Sequence, residues 1–320
     1  MKRVAVFASY NKEGIIATFV VHFLKELKKE VDDIIFIADN EIRPNEDYKL
    51  KDIVTYIQCE RHACYDFGSY RRGYEWAAEN GLLKDADELI FCNDSCYGPV
   101  YPFREVFSKM EEKNCDFWGM TESYQMRYHL QSYFLVFRQN VFLSEPFRAF
   151  VSSFEKQEDF WEYVKKYETM FAEHLLSSGF DCASFCSYDS VVGSERKELD
   201  NPCMYPVTLL SLGMPLVKRK VFVNKHGGFL RESQKVLMNE IKKHNPALYD
   251  IIRDDSYEQL LDADDNRAVF EAKLEEREYM IDYLTKKRRK HLRVIRILGY
   301  TLAVAVVALG LSCLNKTLAK

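Results

Sequence analysis

Three polar residues that could bind a metal or a phosphate, Asn93, Asp94 and Ser95, follow an apolar run at residues 88–92 (ELIFC). That run is typical of a buried strand. A lone carboxylate at the end of such a strand could bind a hard divalent cation, Mg²⁺ or Mn²⁺, that bridges a diphosphate. The same Asp94 would equally cap a turn, because a Tyr-Gly-Pro segment follows at residues 97–99. The motif leaves both interpretations open.

Further polar residues follow the first three predicted strands. They are Ser9 and Tyr10 after the first, Asp39 after the second, and Arg61, Asp66 and Gly68 after the third. Parallel strands bind ligands at their carboxyl ends, so this edge of the sheet is the predicted site. Arg61 could instead be a surface charge, and Gly68 could serve only a tight turn. Neither GxGxxG nor GxxxxGK[ST] occurs, which argues against classical dinucleotide and P-loop sites.

The elements that must position these residues alternate between strand and helix. Apolar runs predict strands at residues 4–8, 33–38, 53–58, 88–92, 116–120 and 132–137. Helical patterns occupy residues 15–29, 69–80 and 102–113, and Ser144 is the predicted N-cap of another helix. The alternation predicts an α/β fold with a mainly parallel sheet covered by helices. A Gly-Gly break at 227–228 sets a domain boundary near residue 225, before a helical extension at 226–293.

The C-terminal residues have a different composition. Residues 297–314 carry no charge and, at about 1.5 Å per helical residue, nearly span a hydrocarbon core of roughly 30 Å. A basic segment at 286–293 precedes this run, which predicts a transmembrane anchor at 294–315, a short tail at 316–320 and a cytoplasmic body. The alternatives are a buried core helix and a contact between copies of the chain.

The overall composition is that of a globular protein. Hydrophobic residues make up 47% and charged residues 29%, which excludes extensive disorder. The 49 acidic residues outnumber the 45 basic ones, so bulk charge does not indicate a nucleic-acid partner.

Several segments together resemble the rhamnan synthesis F family over roughly residues 1–225. They include YDFGSYRRG, ELIFCNDSCYGPVYPF, HLQSYFLVFR and MPLVKRKVF. The resemblance implies a GT-A-like, inverting glycosyltransferase, which the anchor predicted above would hold at the membrane. Its donor would be a nucleotide sugar, most typically dTDP-L-rhamnose, and its acceptor a lipid-linked cell-surface glycan. Other polysaccharide-assembly proteins would be its partners.

The resemblance also implies roles for individual residues. Asn93, Asp94 and Ser95 occupy the place of the GT-A Asp-x-Asp motif, although only the middle residue is acidic, and this leaves metal dependence open. Asp39 stands where similar enzymes hold the base or ribose. Arg61, Asp66 and Gly68 stand in the nucleotide-contacting loop.

The remaining candidates are a general base and a cation. An inverting transferase needs a base for the acceptor hydroxyl, and the candidates are Glu168, Asp116 and Glu122. Glu168 is predicted to open a helix, where the helix dipole favours an ionised carboxylate; simple helix stabilisation is the alternative. Lys218 could meet the diphosphate or only cover the surface.

Two further hypotheses remain beside a rhamnosyltransferase. One is a transferase for another nucleotide sugar, because one sequence does not define the sugar pocket. The other is a catalytically silent GT-A-like scaffold in a polysaccharide-assembly complex, which the incomplete Asp-x-Asp motif keeps open.

Overall fold

A mixed sheet of eight strands forms the centre of the computed structural model, which describes residues 1–157, 159–193, 201–223 and 231–256, and Thr285. The strands in chain order are β1 (Arg3–Ser9), β2 (Asp33–Ala38), β3 (Tyr56–Cys59), β4 (Glu88–Asn93), β5 (Cys96–Tyr97), β6 (Phe117–Ser123), β7 (His129–Leu130), β8 (Phe134–Arg138), β9 (Cys182–Cys186) and β10 (Val217–Lys218). The spatial order is β3-β2-β1-β4-β8-β6-β7, and β9 pairs with β6. β5 and β10 form a separate antiparallel ribbon.

The half of the sheet that carries the predicted site is parallel. β1 lies between β2 and β4, and Ala8 pairs with both Ile37 and Asn93. The carboxyl ends of these strands therefore meet at one edge. β8 runs antiparallel to β4 and to β6, so β6 has the same direction as β4. The predicted α/β fold with a mainly parallel sheet is confirmed, with β7 and β8 as the antiparallel strands.

Helices cover both faces of this half. The helices of the described residues are α1 (Thr18–Leu27), α2 (Tyr65–Glu79), α3 (Phe103–Glu111), α4 (Gln139–Phe142), α5 (Glu145–Ser152), α6 (Phe160–Tyr163), α7 (Thr169–Ser177), α8 (Tyr188–Val191), α9 (Pro206–Ser211), α10 (Lys220–Val223), α11 (Arg231–His244) and α12 (Pro246–Ser256). Val4 and Val6 of β1 share a core with Phe67 of α2, whereas the ring of Phe7 packs 5.4 Å from that of Phe23 in α1. Because neighbouring strand residues point to opposite faces, both faces of β1 are buried under helices.

Glu168 lies inside a helical run and not at its start. A π-helical turn, Val164–Glu168, joins α6 to α7 without a break, and Asp159 caps the beginning of the run by accepting a hydrogen bond from Trp161 N at 2.6 Å. The prediction that Glu168 opens a helix is wrong, because the helix starts two turns earlier. π-turns of this kind often occur at functional sites.

The C-terminal predictions lie largely outside the described residues. The chain divides into two compact units, Met1–Lys273 and Leu274–Lys320, and every element named above is in the first. Within it, α11 contacts α9, and α12 contacts α1. The domain boundary near residue 225 stays a prediction. The predicted anchor at 294–315 and tail at 316–320 lie outside the described residues. Among the residues that the structure does describe, no helix is long and apolar enough to cross a membrane.

Candidate functional site

A cavity of about 460 Å³ opens at the carboxyl edge of β1, β2 and β4. The predicted site residues that line it are Ser9, Tyr10, Asp39, Arg61, Asp66, Asn93, Asp94, Ser95, Glu168 and Lys218. The fold thus gathers side chains from the ends of β1, β2, β3 and β4 and the loops after them, from the first turn of α2, from the α6–α7 helical run and from the β5–β10 ribbon around one space.

Asp94 is held by the loop that follows β1. Its Oδ2 accepts hydrogen bonds from Ser9 Oγ and from Tyr10 N, both at 2.8 Å. Burial raises the pKa of the Asp94 carboxyl, and these two hydrogen bonds oppose that rise. Within the described part of the chain, Oδ1 accepts no hydrogen bond. That oxygen is the one able to meet a ligand.

Lys218 lies beside the same motif although it is 123 residues from Ser95 along the chain. It lies opposite Cys96 in the β5–β10 ribbon, and its Nζ donates a hydrogen bond to Ser95 Oγ at 2.9 Å. Its Nζ also lies 3.9 Å from the centre of the Tyr133 ring. Ser95 Oγ in turn donates to Asn93 Oδ1 at 2.6 Å. A positive charge therefore stands beside the strand-end motif, as a diphosphate would require.

Asp39 shapes the entrance loop. Its Oδ1 accepts hydrogen bonds from His62 N and Ala63 N, each at 2.7 Å, and its Oδ2 pairs with Arg61 Nη1 at 2.8 Å. The exposed Arg61 guanidinium lies 5.2 Å from the centre of the Tyr10 ring. The buried Asp39 carboxylate thus positions the exposed Arg61 guanidinium at the entrance to the cavity.

Gly68 supports this loop from behind. It lies inside α2 and not in a turn, and it is not among the residues that line the cavity. A Cβ at this position would lie 2.3 Å from Cys64 Cβ and 3.0 Å from the His62 ring. The absence of a side chain lets the loop pack directly on the helix.

Two carboxylates face the inner part of the cavity, on Asp66 and Glu168. Asp66 accepts hydrogen bonds from Tyr163 Oη and Asn93 Nδ2, each at 2.9 Å. Glu168 Oε1 accepts from Ser132 N at 3.1 Å and from Ser132 Oγ at 3.0 Å. Burial, together with the negative charge of Glu168, raises the pKa of Asp66 to about 6. Both carboxylates line the same cavity as Asp94 and Lys218.

The other two base candidates do not line this cavity. Asp116 precedes β6 at the opposite edge of the sheet, about 20 Å away along the strand, where it accepts hydrogen bonds from Asn140 Nδ2 and Asp181 N. Glu122 lies near the end of β6 and accepts from Tyr188 N at 2.8 Å and Tyr128 Oη at 3.2 Å. Of the three carboxylates, Glu168 alone is brought to the described cavity.

The described residues offer little for a metal beyond Asp94. Among them, no three His, Cys, Asp or Glu side chains are grouped as metal ligands. Mg²⁺ commonly binds through one or two carboxylates plus substrate phosphates and water. Asp94 Oδ1, which lacks a hydrogen-bond partner in the described structure, fits such a role, so a cation here would depend on the substrate's own phosphates.

Several lining residues were not predicted from the sequence. They are Ala8, Tyr65, Phe67, Ser132, Phe160, Tyr163 and Val164. Ser132 and Tyr65 lie in segments that carry the family resemblance, QSYFLVF and YDFGS, and could have been singled out there. Phe160 and Tyr163 follow no predicted strand, so only the packing of α6 places them at the site.

Comparison with known sequences identifies one family and two curated relatives. The family described as Rhamnan synthesis protein F matches residues 34–297. Virulence protein VirA of Vibrio anguillarum is 29% identical over 136 residues, covering 42% of this chain and 43% of the relative. The uncharacterized protein y4gN of Sinorhizobium fredii is 19% identical over 192 residues, covering 59% and 49%. These matches span less than half of each curated relative.

Comparison with solved structures finds more distant similarities. S. aureus TarS 1-349 in complex with UDP has a TM-score of 0.35 at 12% identity, covering 89% of this chain and 92% of TarS 1-349. The 4-diphosphocytidyl-2C-methyl-D-erythritol synthase of Anaerococcus prevotii DSM 20548 has a TM-score of 0.34 at 11% identity, covering 61% and 94%.

Proposed function

The chain belongs to the rhamnan synthesis protein F family, and on that premise we propose that it is a glycosyltransferase of polysaccharide synthesis. One observation carries the proposal. The cavity at the carboxyl edge of the sheet joins a positive charge, Lys218, a carboxylate with a free oxygen in the described structure, Asp94, and a separate carboxylate, Glu168. A sugar transferase needs these three functions, to hold a diphosphate, to support its leaving charge and to accept a proton.

We propose a nucleotide-sugar donor that lies along the strand ends. Its nucleoside would meet Arg61 and Tyr10, and its diphosphate would meet Ser95 and Lys218. A divalent cation held by Asp94 and the diphosphate would neutralise charge on the leaving group. The family description names rhamnan, which favours L-rhamnose as the sugar and dTDP-L-rhamnose as the donor.

The proposed reaction is a single displacement. An acceptor hydroxyl attacks C1 of the donor sugar as Glu168 takes its proton, and the bond from C1 to the diphosphate oxygen breaks. The products are a new glycosidic bond, a protonated Glu168 and a nucleoside diphosphate whose added negative charge faces Lys218. Because attack and departure occur on opposite sides of C1, the sugar configuration is inverted. Ser132, which donates two hydrogen bonds to Glu168, holds the carboxylate in place.

The proposal is tested by measuring first the binding of nucleotide sugars and then their turnover. Candidate donors are screened by thermal unfolding with and without Mg²⁺ or Mn²⁺; a ligand at about 100 times its Kd adds about 2.7 kcal/mol of stability. Asp94→Asn, which removes charge and keeps shape, should lower transfer or donor hydrolysis about a hundredfold or more. The matched control is Asp85→Asn, which neutralises an exposed carboxylate away from the cavity. Donor binding with no transfer or hydrolysis would instead favour a catalytically silent scaffold.

We further propose that residues 294–315 anchor the enzyme in the cell membrane, with the body cytoplasmic and a lipid-linked glycan as acceptor. The uncharged run and the basic segment before it support this orientation. Protease added to intact cells should leave residues 1–290 uncut, and cleavage there would contradict the orientation.

A further inference from the structure

Three large aromatic side chains stand exposed at the rim of the cavity. Tyr65 is 43% exposed, Phe160 49% and Trp161 60%. Tyr65 and Phe160 line the cavity itself, and Trp161 is the next residue along α6. We call these three residues the aromatic shelf. Exposed apolar surface beside a polar cleft commonly marks a ligand-binding groove.

The shelf is built at a cost in backbone strain. Tyr65 has φ of +48° and Ala63 has φ of +58°, values that residues other than glycine adopt uncommonly. The ring of Tyr65 lies 5.6 Å from that of Phe160 and 4.9 Å from that of Tyr163. Strain of this kind tends to concentrate at ligand sites, where the surroundings enforce it. The strained turn therefore holds Tyr65 at the rim.

The chemistry of the shelf fits a sugar ring. Aromatic faces match the apolar C–H face of a pyranose, while the polar groups deeper in the cavity, on Asp66, Glu168 and Ser132, match hydroxyl groups. The charged elements suited to a nucleoside diphosphate, Arg61 and Lys218, lie on the strand-end loops and the β5–β10 ribbon. Phe160 and Trp161 of the shelf instead lie on the same helical run as Glu168, and Tyr65 is the first residue of α2.

The distance along that helical run favours the acceptor, and not the transferred sugar, as the occupant of the aromatic shelf. Phe160 precedes Glu168 by eight residues, which corresponds to about 12 Å of helix. A ring on the shelf therefore lies away from the hydroxyl that Glu168 would deprotonate. Resting on the proposed transferase function, we propose that the aromatic shelf binds a sugar unit of an oligosaccharide acceptor, away from the unit that is extended.

The experiment uses rhamnan oligosaccharides, free L-rhamnose and dTDP-L-rhamnose as separate probes in binding titrations with the full-length chain. Phe160→Ala and Trp161→Ala should each weaken oligosaccharide binding about tenfold, the effect of losing one good aromatic contact. Free L-rhamnose should bind far more weakly than the oligosaccharides, because it cannot reach both ends of the site. Tyr48→Ala is the matched control: Tyr48 is 65% exposed, lies outside this cavity and should leave every affinity unchanged.

Two results would overturn the proposal. Unchanged oligosaccharide affinity in both variants would show that the shelf does not hold the acceptor. If the variants weaken only the binding of dTDP-L-rhamnose, the shelf stacks a nucleobase. A nucleobase is the rival occupant because Tyr65 lies near the Arg61 loop. Failure of the unmodified chain to bind any nucleotide sugar would refute the transferase function itself, and the donor titration separates that outcome from the other two. Melting temperatures of the variants verify that both stay folded.

Discussion

Asp66→Asn should abolish a pH-dependent contribution to stability that the unmodified chain possesses. In the folded protein, burial and the charge of Glu168 raise the pKa of Asp66 from 3.8 to about 6. The native state therefore binds this proton more tightly than the unfolded chain does. The contribution is fully present below the unfolded pKa and is lost as pH rises through about 6.

The magnitude follows from the size of the shift. A difference of about two pKa units corresponds to about 3 kcal/mol over the full range. About 2 kcal/mol of it falls between roughly pH 4.5 and pH 7.5. Asn at this position keeps an acceptor for Tyr163 Oη but loses the hydrogen bond from Asn93 Nδ2. That loss does not depend on pH, so it cancels when the two pH values are compared.

The assay is urea unfolding of the unmodified chain and of Asp66→Asn at both pH values. On going from about pH 7.5 to about pH 4.5, the unmodified chain should gain about 2 kcal/mol of unfolding free energy relative to the variant. Asp85→Asn, an exposed carboxylate, should show no such relative change. If Asp66→Asn differs from the unmodified chain by the same amount at both pH values, within about 0.5 kcal/mol, Asp66 does not hold the raised pKa and the reasoning fails.

Three further variants test the proposed site. Glu168→Gln should lower turnover about 10²- to 10⁴-fold while nucleotide-sugar affinity stays unchanged. The control Asp116→Asn, at the opposite edge of the sheet, should keep full turnover, and equal effects of the two variants would remove Glu168 from the mechanism. Lys218→Met should weaken nucleoside diphosphate binding about tenfold or more in a calorimetric titration, whereas the exposed Lys220→Met should not. Gly68→Ala should lower the free energy of unfolding in urea by about 1–3 kcal/mol and also weaken nucleotide binding, because the new methyl group must displace Cys64 and the loop beside it. A stabilised variant would contradict the packing argument.

The sequence determined the elements that carry the site. β1, β2 and β4 appear as continuous apolar runs because strands buried on both faces exclude polar residues. Ser144 was identifiable as an N-cap, and its Oγ accepts a hydrogen bond from Phe147 N at 3.3 Å. The polar residues after these strands were found in the same way, since the end of an apolar run is visible without any knowledge of packing.

The packing of distant elements sets which of these residues come into contact. Lys218 and Ser95 are 123 residues apart, and the β5–β10 ribbon that joins them has only two residues in each strand, too few for a periodic signal. In the sequence Glu168 was the first candidate base, followed by Asp116 and Glu122. Strand direction places Asp116 at the far edge of the sheet, and helix packing brings Glu168 to the cavity. Periodicity reports whether a residue is buried and in which kind of element, because that depends on its near neighbours. Contacts between distant segments depend on how whole elements pack against one another, and this is why the assembly of these residues around one cavity emerged only from the fold.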